Sequence, residues 1–362
     1  MRFRRRLLIL IVVLLIAGAV ALLVILRKHA PPEAARLLPG ADGFFYVNLK
    51  WIRTFNARAP LPPILHDPDY QKFVDETGFQ FERDLDQAAF AVHYPQSWGE
   101  GTAGSAGEPR YSEIFVGKFN SSMALAYLKR HATTVDSYRG FDIYNIPNEG
   151  RVVRVTFLSY DSVAISNHPD PDVIRGMIDR SRKLASPFSG PWLLRRYYKE
   201  VPLTSLSFAI LRVRPEAVSS LEGFGSWALL FPKPAVVVIS ARYLRALHLK
   251  AEAFTETEAD AQAIVDKATA FLAIFHAAES NVGTHGTDPD VKSFFDSLKV
   301  QRAKDRAILT ATVPQGFVKK ALAETPVENT PATPTPPAAA TPPPPAAATQ
   351  PPGKKPAKHG KP

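Results

Sequence analysis

The chain has 362 residues, a formal net charge of +10 and no cysteine. The lack of cysteine excludes disulfides, thiolate metal sites, a cysteine nucleophile and a lipoprotein anchor. The charge does not indicate a nucleic-acid binder, because residues 1–28 carry +6 and residues 326–362 carry +3, which leaves +1 for residues 29–325.

An uncharged apolar segment, residues 7–26, lies near the N-terminus. At ~1.5 Å per residue it reaches ~30 Å, the thickness of the bilayer core, so it predicts a transmembrane helix. Four arginines precede it, and the positive-inside rule therefore keeps residues 1–6 cytoplasmic and exports the rest. The alternative is a signal peptide cleaved at Ala19-Val20-Ala21. We favour retention because Leu22–Leu26 continue the apolar run.

The apolar segment and the arginines before it predict a single-span protein of the bacterial cytoplasmic (inner) membrane with a periplasmic or extracellular ectodomain. The rest of the chain divides by composition into a linker and two halves of the ectodomain, followed by a tail; these are residues 27–37, 38–190, 191–325 and 326–362. In the tail 13 of 37 residues are proline and most others are alanine, threonine or lysine. It is predicted to be a disordered, basic spacer because it has no apolar surface to bury.

The periodicity of the ectodomain predicts an α+β fold with mainly antiparallel sheets and packed helices. Leu247–Ala253 alternates apolar and polar residues, as half-buried strands do, and the apolar stripe from Ile264 to Phe275 has helical spacing. A capping box at Thr255 and Glu258 precedes that helix. Asp-Pro-Asp begins three predicted helices, at residues 67–69, 170–172 and 288–290, and this recurrence raises the hypothesis of two repeated halves.

One resemblance rests on Leu38-Pro39, Ala41 and Tyr46-Val47, with Thr77-Gly78-Phe79 and Asp84-Leu85 further on. These residues resemble the opening of uncharacterised bacterial single-span membrane proteins, whose exported ectodomains begin with a Leu-Pro-x-x-Ala strand motif; here one residue, Gly40, separates Pro39 from Ala41. The resemblance covers about the first third of the ectodomain. It implies an exported α+β domain of unknown function and transfers no functional residue.

Two segments are candidates for contact with a partner. Residues 192–199 combine aromatic and cationic side chains, and residues 224–231 form an apolar run interrupted by Gly225. The candidate residues are Trp192, Arg195, Arg196, Tyr197, Tyr198, Phe224 and Trp227. The competing interpretation packs Trp192, Leu193 and Tyr197 on the core and buries the second segment.

No catalytic, cofactor or metal motif is predicted. Gly99-x-Gly101-x-x-Gly104 matches a dinucleotide fingerprint as letters, but the residues after it are unsuited to open the helix that would hold a pyrophosphate. The nine histidines show no His-Glu-x-x-His spacing. We therefore expect a non-enzymatic binding or scaffolding module that residues 7–26 anchor in the lipid bilayer and that binds an envelope protein, lipid or anionic polymer. The alternative is an envelope hydrolase whose site is assembled from residues distant in sequence.

Overall fold

A computed structural model describes residues 30–56, 67–95, 109–182, 190–215, 229–244, 246–282 and 289–317. The predicted transmembrane segment 7–26, the glycine pattern at 99–104 and the predicted tail 326–362 lie outside these residues. Within the described residues, no helix is both long enough and apolar enough to cross a membrane.

In the described residues, twelve strands form one sheet in which every neighbouring pair is antiparallel. The strands are β1 (Gly43–Asn48), β2 (Leu85–His93), β3 (Arg110–Gly117), β4 (Thr134–Tyr138), β5 (Phe141–Asn148), β6 (Arg151–Ser159), β7 (Ser162–Ser166), β8 (Ser205–Val213), β9 (Ala235–Tyr243), β10 (Leu247–Phe254), β11 (Lys299–Ala303) and β12 (Arg306–Val313). Their spatial order is β11-β12-β10-β9-β8-β1-β2-β3-β7-β6-β5-β4.

The described helices pack on both faces of this sheet. They are α1 (Glu33–Leu37), α2 (Leu49–Asn56), α3 (Pro68–Thr77), α4 (Phe81–Asp84), α5 (Ser121–His131), α6 (Asp172–Ser181), α7 (Trp192–Tyr197), α8 (Glu258–Val282) and α9 (Pro289–Ser297), with a 3₁₀ turn at Tyr198–Glu200. Asp67 caps α3 by accepting a 2.7 Å hydrogen bond from the Tyr70 amide, and Gly78 ends it with φ 68°. Both boundaries agree with the sequence pattern.

The main core lies on one face, which we call the Phe44 face. Phe44, Ile114 and Ile210 point to it from three strands and are fully buried. Helices α1, α6 and α7 cover it with the buried side chains Ala34, Ala35, Leu37, Ile174, Met177, Ile178, Leu193 and Leu194. Because alternate residues of a strand point to opposite faces, Phe45 and its register partners define a second face, the Phe45 face.

Three smaller clusters cover parts of the Phe45 face. The first cluster contains Phe79 and Leu85 together with residues from α2 and α3. The second contains Leu128 of α5, and in the third Ile264 of α8 packs against Val237. The second lies over β5–β7, the first over β2–β3 and the third over β8–β12. The centre of the Phe45 face lies between the first and third clusters.

The predicted α+β class with antiparallel pairing is confirmed. Helix α1 and strands β4 and β11 are not predicted by the periodicity of the sequence. Part of the predicted linker 27–37 is folded, since the α1 side chains Ala34 and Leu37 are buried in the main core. This helix was missed because five residues carry too little periodicity to be recognised.

The capping box before α8 was placed two residues too early. The helix begins at Glu258, and Thr257 Oγ accepts a 3.1 Å hydrogen bond from the Asp260 amide. Thr257 also donates to the Asp260 carboxylate at 2.7 Å. Thr255 instead donates to the carbonyl oxygen of Asp305 at 2.8 Å, and so fastens the entry of the helix to the turn between β11 and β12.

Candidate functional site

An apolar groove occupies the centre of the Phe45 face, across β2, β1, β8 and β9. It has a volume of about 250 Å³. Its lining side chains on this face are Phe45, Val47, Phe90, Ser207, Ala209, Ile239 and Ala241. Phe45 is 37 % exposed whereas its neighbour Phe44 is fully buried, so in the described residues the two faces of β1 have different environments. Ser207 provides the only hydroxyl among these side chains.

Two aromatic side chains lie beyond one end of this groove. Trp51 at the start of α2 and Tyr243 at the end of β9 have ring centroids 6.5 Å apart, and Trp51 is 47 % exposed. Arg53 fixes α2 to β2 through an ion pair with Asp86 and a hydrogen bond to the Leu85 carbonyl oxygen. The aromatic end is therefore held by a helix that is itself anchored to the sheet.

The groove belongs to a register row that crosses all twelve strands. From β4 to β11 the row is Val135, Tyr144, Val155, Ile165, Glu113, Phe90, Phe45, Ala209, Ile239, Ala251, Leu309 and Val300. Glu113 is the only ionisable carboxyl in it and lies between Ile165 and Phe90. Burial raises the pKa of Glu113 to about 7, because desolvation disfavours the charged form.

A second cluster, of histidine and serine side chains, lies on the Phe44 face. Nε2 of His93 lies 3.0 Å from Oγ of Ser112, which lies 2.9 Å from Oγ of Ser166. The rings of His93 and His168 meet edge to face with centroids 5.0 Å apart. Burial, assisted by His168 and opposed by Asp42, lowers the pKa of His93 to about 4, so its imidazole is neutral at pH 7.

This arrangement has the residue types of a hydrolase but not the access of one. A nucleophilic hydroxyl must reach a substrate carbon, and Ser112 and Ser166 are 0 % and 1 % exposed. Ser166 Oγ also lies 3.4 Å from the Tyr111 carbonyl oxygen and accepts from the His168 amide at 3.2 Å. The geometry is that of a satisfied polar network joining β2, β3 and β7.

The charges beside this cluster are paired. Asp42 lies 3.1 Å from Arg214 and 3.4 Å from Arg212, and it accepts from the Tyr94 amide at 3.1 Å. In the described parts of the chain, this cluster included, no group of three histidine, aspartate or glutamate side chains is arranged to hold a metal ion.

The predicted partner-binding residues of segment 192–199 lie on and after α7. Trp192 is 55 % exposed, so the interpretation that packs it on the core is wrong, whereas Leu193 and Leu194 are buried. The guanidinium of Arg196 lies 5.4 Å from the Trp192 ring centroid and 5.7 Å from that of Tyr197.

The other residues of this segment divide between surface and core. Arg195 is exposed. Tyr197 contacts Phe254 and Tyr198 contacts Phe208, both edge to face, with centroids 5.1 and 5.2 Å apart. These two tyrosines therefore pack inward, and the aromatic surface of the segment is provided mainly by Trp192.

The second predicted segment is described only at its end. Phe224 and Trp227 lie outside the described residues. Of its described residues, Leu229 is 74 % exposed, whereas Phe231 is 7 % exposed and packs in the cluster under α8, so this end of the segment lies partly on the surface and partly in the core.

The groove has no signature in the sequence because its residues come from four strands. Phe45 and Ile239 are brought to the same face only by the pairing of β1 with β8 and of β8 with β9. The one local signal was the adjacent pair Phe44-Phe45, since two aromatic neighbours in a strand must point to opposite faces. One of them therefore had to lie outside the main core.

Comparison with known proteins gives no family. No protein-family model matches the sequence, and no curated protein matches it. Among solved structures the chain is similar to TP0453 in crystal form III, with 11 % identity, a TM-score of 0.42, and coverage of 80 % of this chain and 97 % of that one. Crystal form IV gives 12 % identity and a TM-score of 0.41 over 80 % and 96 % of the two chains. At these values the similarity carries no argument about function.

Proposed function

We propose that this protein is a membrane-anchored, extracytoplasmic binding module whose groove on the Phe45 face receives apolar side chains of an envelope partner protein. The groove is the observation that carries the proposal. Residues 7–26 provide the anchor in the bacterial cytoplasmic membrane, with residues 1–6 inside. Anchoring raises the local concentration of the module around other envelope components.

The chemistry of the groove favours a protein over a small ligand. Small-molecule sites enclose about 300–1,000 Å³ and place several polar groups to orient the ligand. This groove is smaller, at about 250 Å³, and Ser207 is its only side-chain hydroxyl on the Phe45 face. Protein interfaces instead place large apolar anchors in small pockets surrounded by aromatic residues, which Phe45 and Phe90 supply here. A sugar polymer would leave its hydroxyl groups without partners at such a surface.

A photocrosslinking amino acid at Ser207 in cells tests the occupant of the groove. The expected result is an adduct of protein mass that disappears when Ile239→Glu introduces a charge into the groove, while the protein stays folded. The same crosslinker at Tyr160, which is 81 % exposed in the β6–β7 turn, is the control. An adduct of lipid mass would contradict the protein partner and favour an acyl chain, and equal adducts at both positions would contradict a specific site.

The proposed orientation in the membrane has its own test. Protease added to spheroplasts is expected to digest all of the chain that follows residues 7–26. Protection of the whole chain would contradict the orientation.

A hydrolase remains the second candidate because His93, Ser112 and Ser166 are distant in sequence and adjacent in space. Their burial argues against it. A broad screen with the full chain and the variants His93→Ala and Ser112→Ala separates the two functions. Turnover that either substitution abolishes, with no adduct in the groove, would replace the binding proposal by the hydrolase.

We also infer that residues 38–190 and 191–325 are repeated halves. With α1, which ends just before residue 38, counted in the first half, the orders α1-β1-β2-β3-α5-β6-β7 and α7-β8-β9-β10-α8-β11-β12 correspond. Helices α2, α3, α4 and α6 and strands β4 and β5 are additions to the first half, and α9 is an addition to the second. In each half the third strand pairs with the last, and the first strands β1 and β8 pair with each other. The Asp-Pro-Asp motifs do not support this relation, because α3, α6 and α9 occupy different places in the order. An experimental structure in which the corresponding strands fail to superpose would contradict it.

The tail 326–362 is proposed to be a disordered spacer whose lysines contact an anionic envelope polymer. Truncation before Pro326 is expected to leave the melting temperature unchanged and to reduce retention on an anionic polysaccharide column. A drop of several degrees would contradict the spacer, because it would mean that the tail packs on the fold.

A further inference from the structure

One exposed surface of the described structure combines an aromatic ring with several cations. Trp192, Arg195, Arg196 and Lys199 recur at i, i+3, i+4 and i+7 along α7 and the following 3₁₀ turn, so they lie on one side. All four are exposed, whereas Leu193 and Leu194 between them are buried in the main core. We call these four residues the α7 patch.

The α7 patch has the chemistry of an interface with anionic lipid. Tryptophan prefers the headgroup region of a bilayer because its ring is apolar and its N–H is polar. Each lysine or arginine near an anionic leaflet is attracted to it. From Trp192 to Lys199 there are three cations and no acid. The next residue, Glu200, pairs with Arg306 at 3.0 Å and also lies 4.0 Å from Nζ of Lys199, which leaves Arg195 and Arg196 as the patch cations that no acid in their own segment neutralises.

The position of the α7 patch in the fold places it beside the start of the described chain. Gly190, two residues before α7, lies against α1, since a Cβ there would be 3.4 Å from Cα of Arg36. Helices α1 and α7 both cover the Phe44 face. Glu33 begins α1 only seven residues after Leu26, the end of the predicted span, and seven residues reach at most ~25 Å.

We infer that the α7 patch rests on the anionic surface of the membrane in which the protein is anchored. The short connection keeps α1 near the bilayer, and α7 beside it presents its exposed side away from the sheet. The Phe44 face is then turned to the lipid, and the groove on the Phe45 face opens away from it toward the envelope. This inference depends on the anchor proposed above and adds the orientation of the domain.

The lack of cysteine allows a direct test on the full chain. The variant Trp192→Cys, labelled with an environment-sensitive dye, is reconstituted in vesicles of seven parts phosphatidylcholine to three parts phosphatidylglycerol that contain spin-labelled lipid. Ile274→Cys is the matched control, because Ile274 is 67 % exposed on α8 at the opposite face. Strong quenching is expected at position 192 and little at position 274.

Charge substitutions test the electrostatic part. Removing one cation is expected to weaken contact about fivefold, from ~1 kcal/mol per charge at such a surface, so Arg195→Gln with Arg196→Gln should reduce quenching at position 192 and Arg195→Glu with Arg196→Glu should abolish it. Vesicles of phosphatidylcholine alone should give the same loss. Far-UV circular dichroism checks that these variants are folded.

The outcomes separate the two proposals. A protein that resists alkaline extraction from the vesicles but shows equal quenching at positions 192 and 274, or none at 192, contradicts the α7 patch and leaves the anchor intact. Release by alkaline extraction contradicts the anchor and, with it, the short connection on which the orientation depends.

Discussion

Glu113 of β3 lies directly opposite Phe90 of β2, on the face that carries the groove. On its other side it faces Ile165 of β7. A carboxyl side chain in such a position stays protonated in the folded protein to a higher pH than in water, because its charged form would have to leave water for apolar surroundings.

The first prediction concerns the charge of Glu113. Its pKa rises from 4.5 to about 7 on folding, so its contribution to stability is fully present below pH 4.5 and is lost as the pH rises through 7. Glu113→Gln should therefore raise the free energy of unfolding by about 1–2 kcal/mol at pH 8 and change it little at pH 4.5. Urea unfolding at both pH values measures this.

The exposed Glu149 in the β5–β6 turn provides the control for that variant. Glu149→Gln should leave the free energy of unfolding unchanged at both pH values. If Glu113→Gln were equally neutral at pH 8, the carboxylate would be solvated in the folded protein and the apolar row would not constrain it.

The second prediction concerns His93, which titrates in the opposite sense. Its pKa falls from 6.5 to about 4 on folding, so the stability it contributes is present above pH 6.5 and is lost as the pH falls toward 4. His93→Gln should lose less stability than the parent protein between pH 6.5 and 4.5, by about 1–2 kcal/mol. Parallel urea titrations across that range test this, and identical pH profiles would contradict the burial of the imidazole.

Local structure could be predicted from the sequence where the signal lies within one element. The strand at Leu247–Ala253 and the cap at Asp67 were confirmed because each depends on residues a few positions apart. The predicted half-burial of that strand was wrong at Glu252, which is buried on the Phe44 face. Strand β4 was not predicted, since Thr134–Val135–Asp136–Ser137 is exposed at the edge of the sheet and shows no apolar alternation. The strand order could not be predicted either, because pairing of β1 with β8 depends on contacts more than 150 residues apart.

The same limit applies to the candidate sites. The α7 segment was found because its aromatic and cationic residues are adjacent in sequence, and the inward packing of Tyr197 and Tyr198 depends on Phe254 and Phe208, which are remote. The groove has no local signature, since each of its four strands contributes only one or two of the side chains that line it on the Phe45 face. Sites of this kind are defined by register, which the sequence alone does not specify across twelve strands.

The third prediction tests the position of the α8 cap. Thr257→Ala removes the acceptor for the Asp260 amide and should lower the free energy of unfolding by about 1 kcal/mol. Thr269→Ala is the matched control, because that hydroxyl donates to the Val265 carbonyl oxygen within an exposed part of the helix and its loss should be neutral or slightly favourable. Thermal unfolding of both variants compares them, and equal melting temperatures would contradict the cap.

The last prediction concerns Gly117 at the end of β3, where two backbone segments approach closely. Lys118 donates a 2.9 Å hydrogen bond to the Asp84 carbonyl oxygen, and Gly117 donates one of the same length to that of Asp161. A Cβ at position 117 would lie 2.5 Å from the Asp84 oxygen and 3.1 Å from Cα of Leu85. Both are backbone atoms, which cannot rotate away as a flexible side chain could.

Gly117→Ala should therefore destabilise the protein by about 2–3 kcal/mol, as overpacking in a close-packed region does. The matched control is Gly40→Ala, because a Cβ at position 40 meets no atom within 4 Å. That substitution should be neutral or stabilise by up to about 1 kcal/mol through the unfolded chain. Guanidinium unfolding of the two variants gives the comparison. Equal stability of both would mean that β2 and β3 separate at this end at little cost, and that the close approach at Gly117 is not required by the fold.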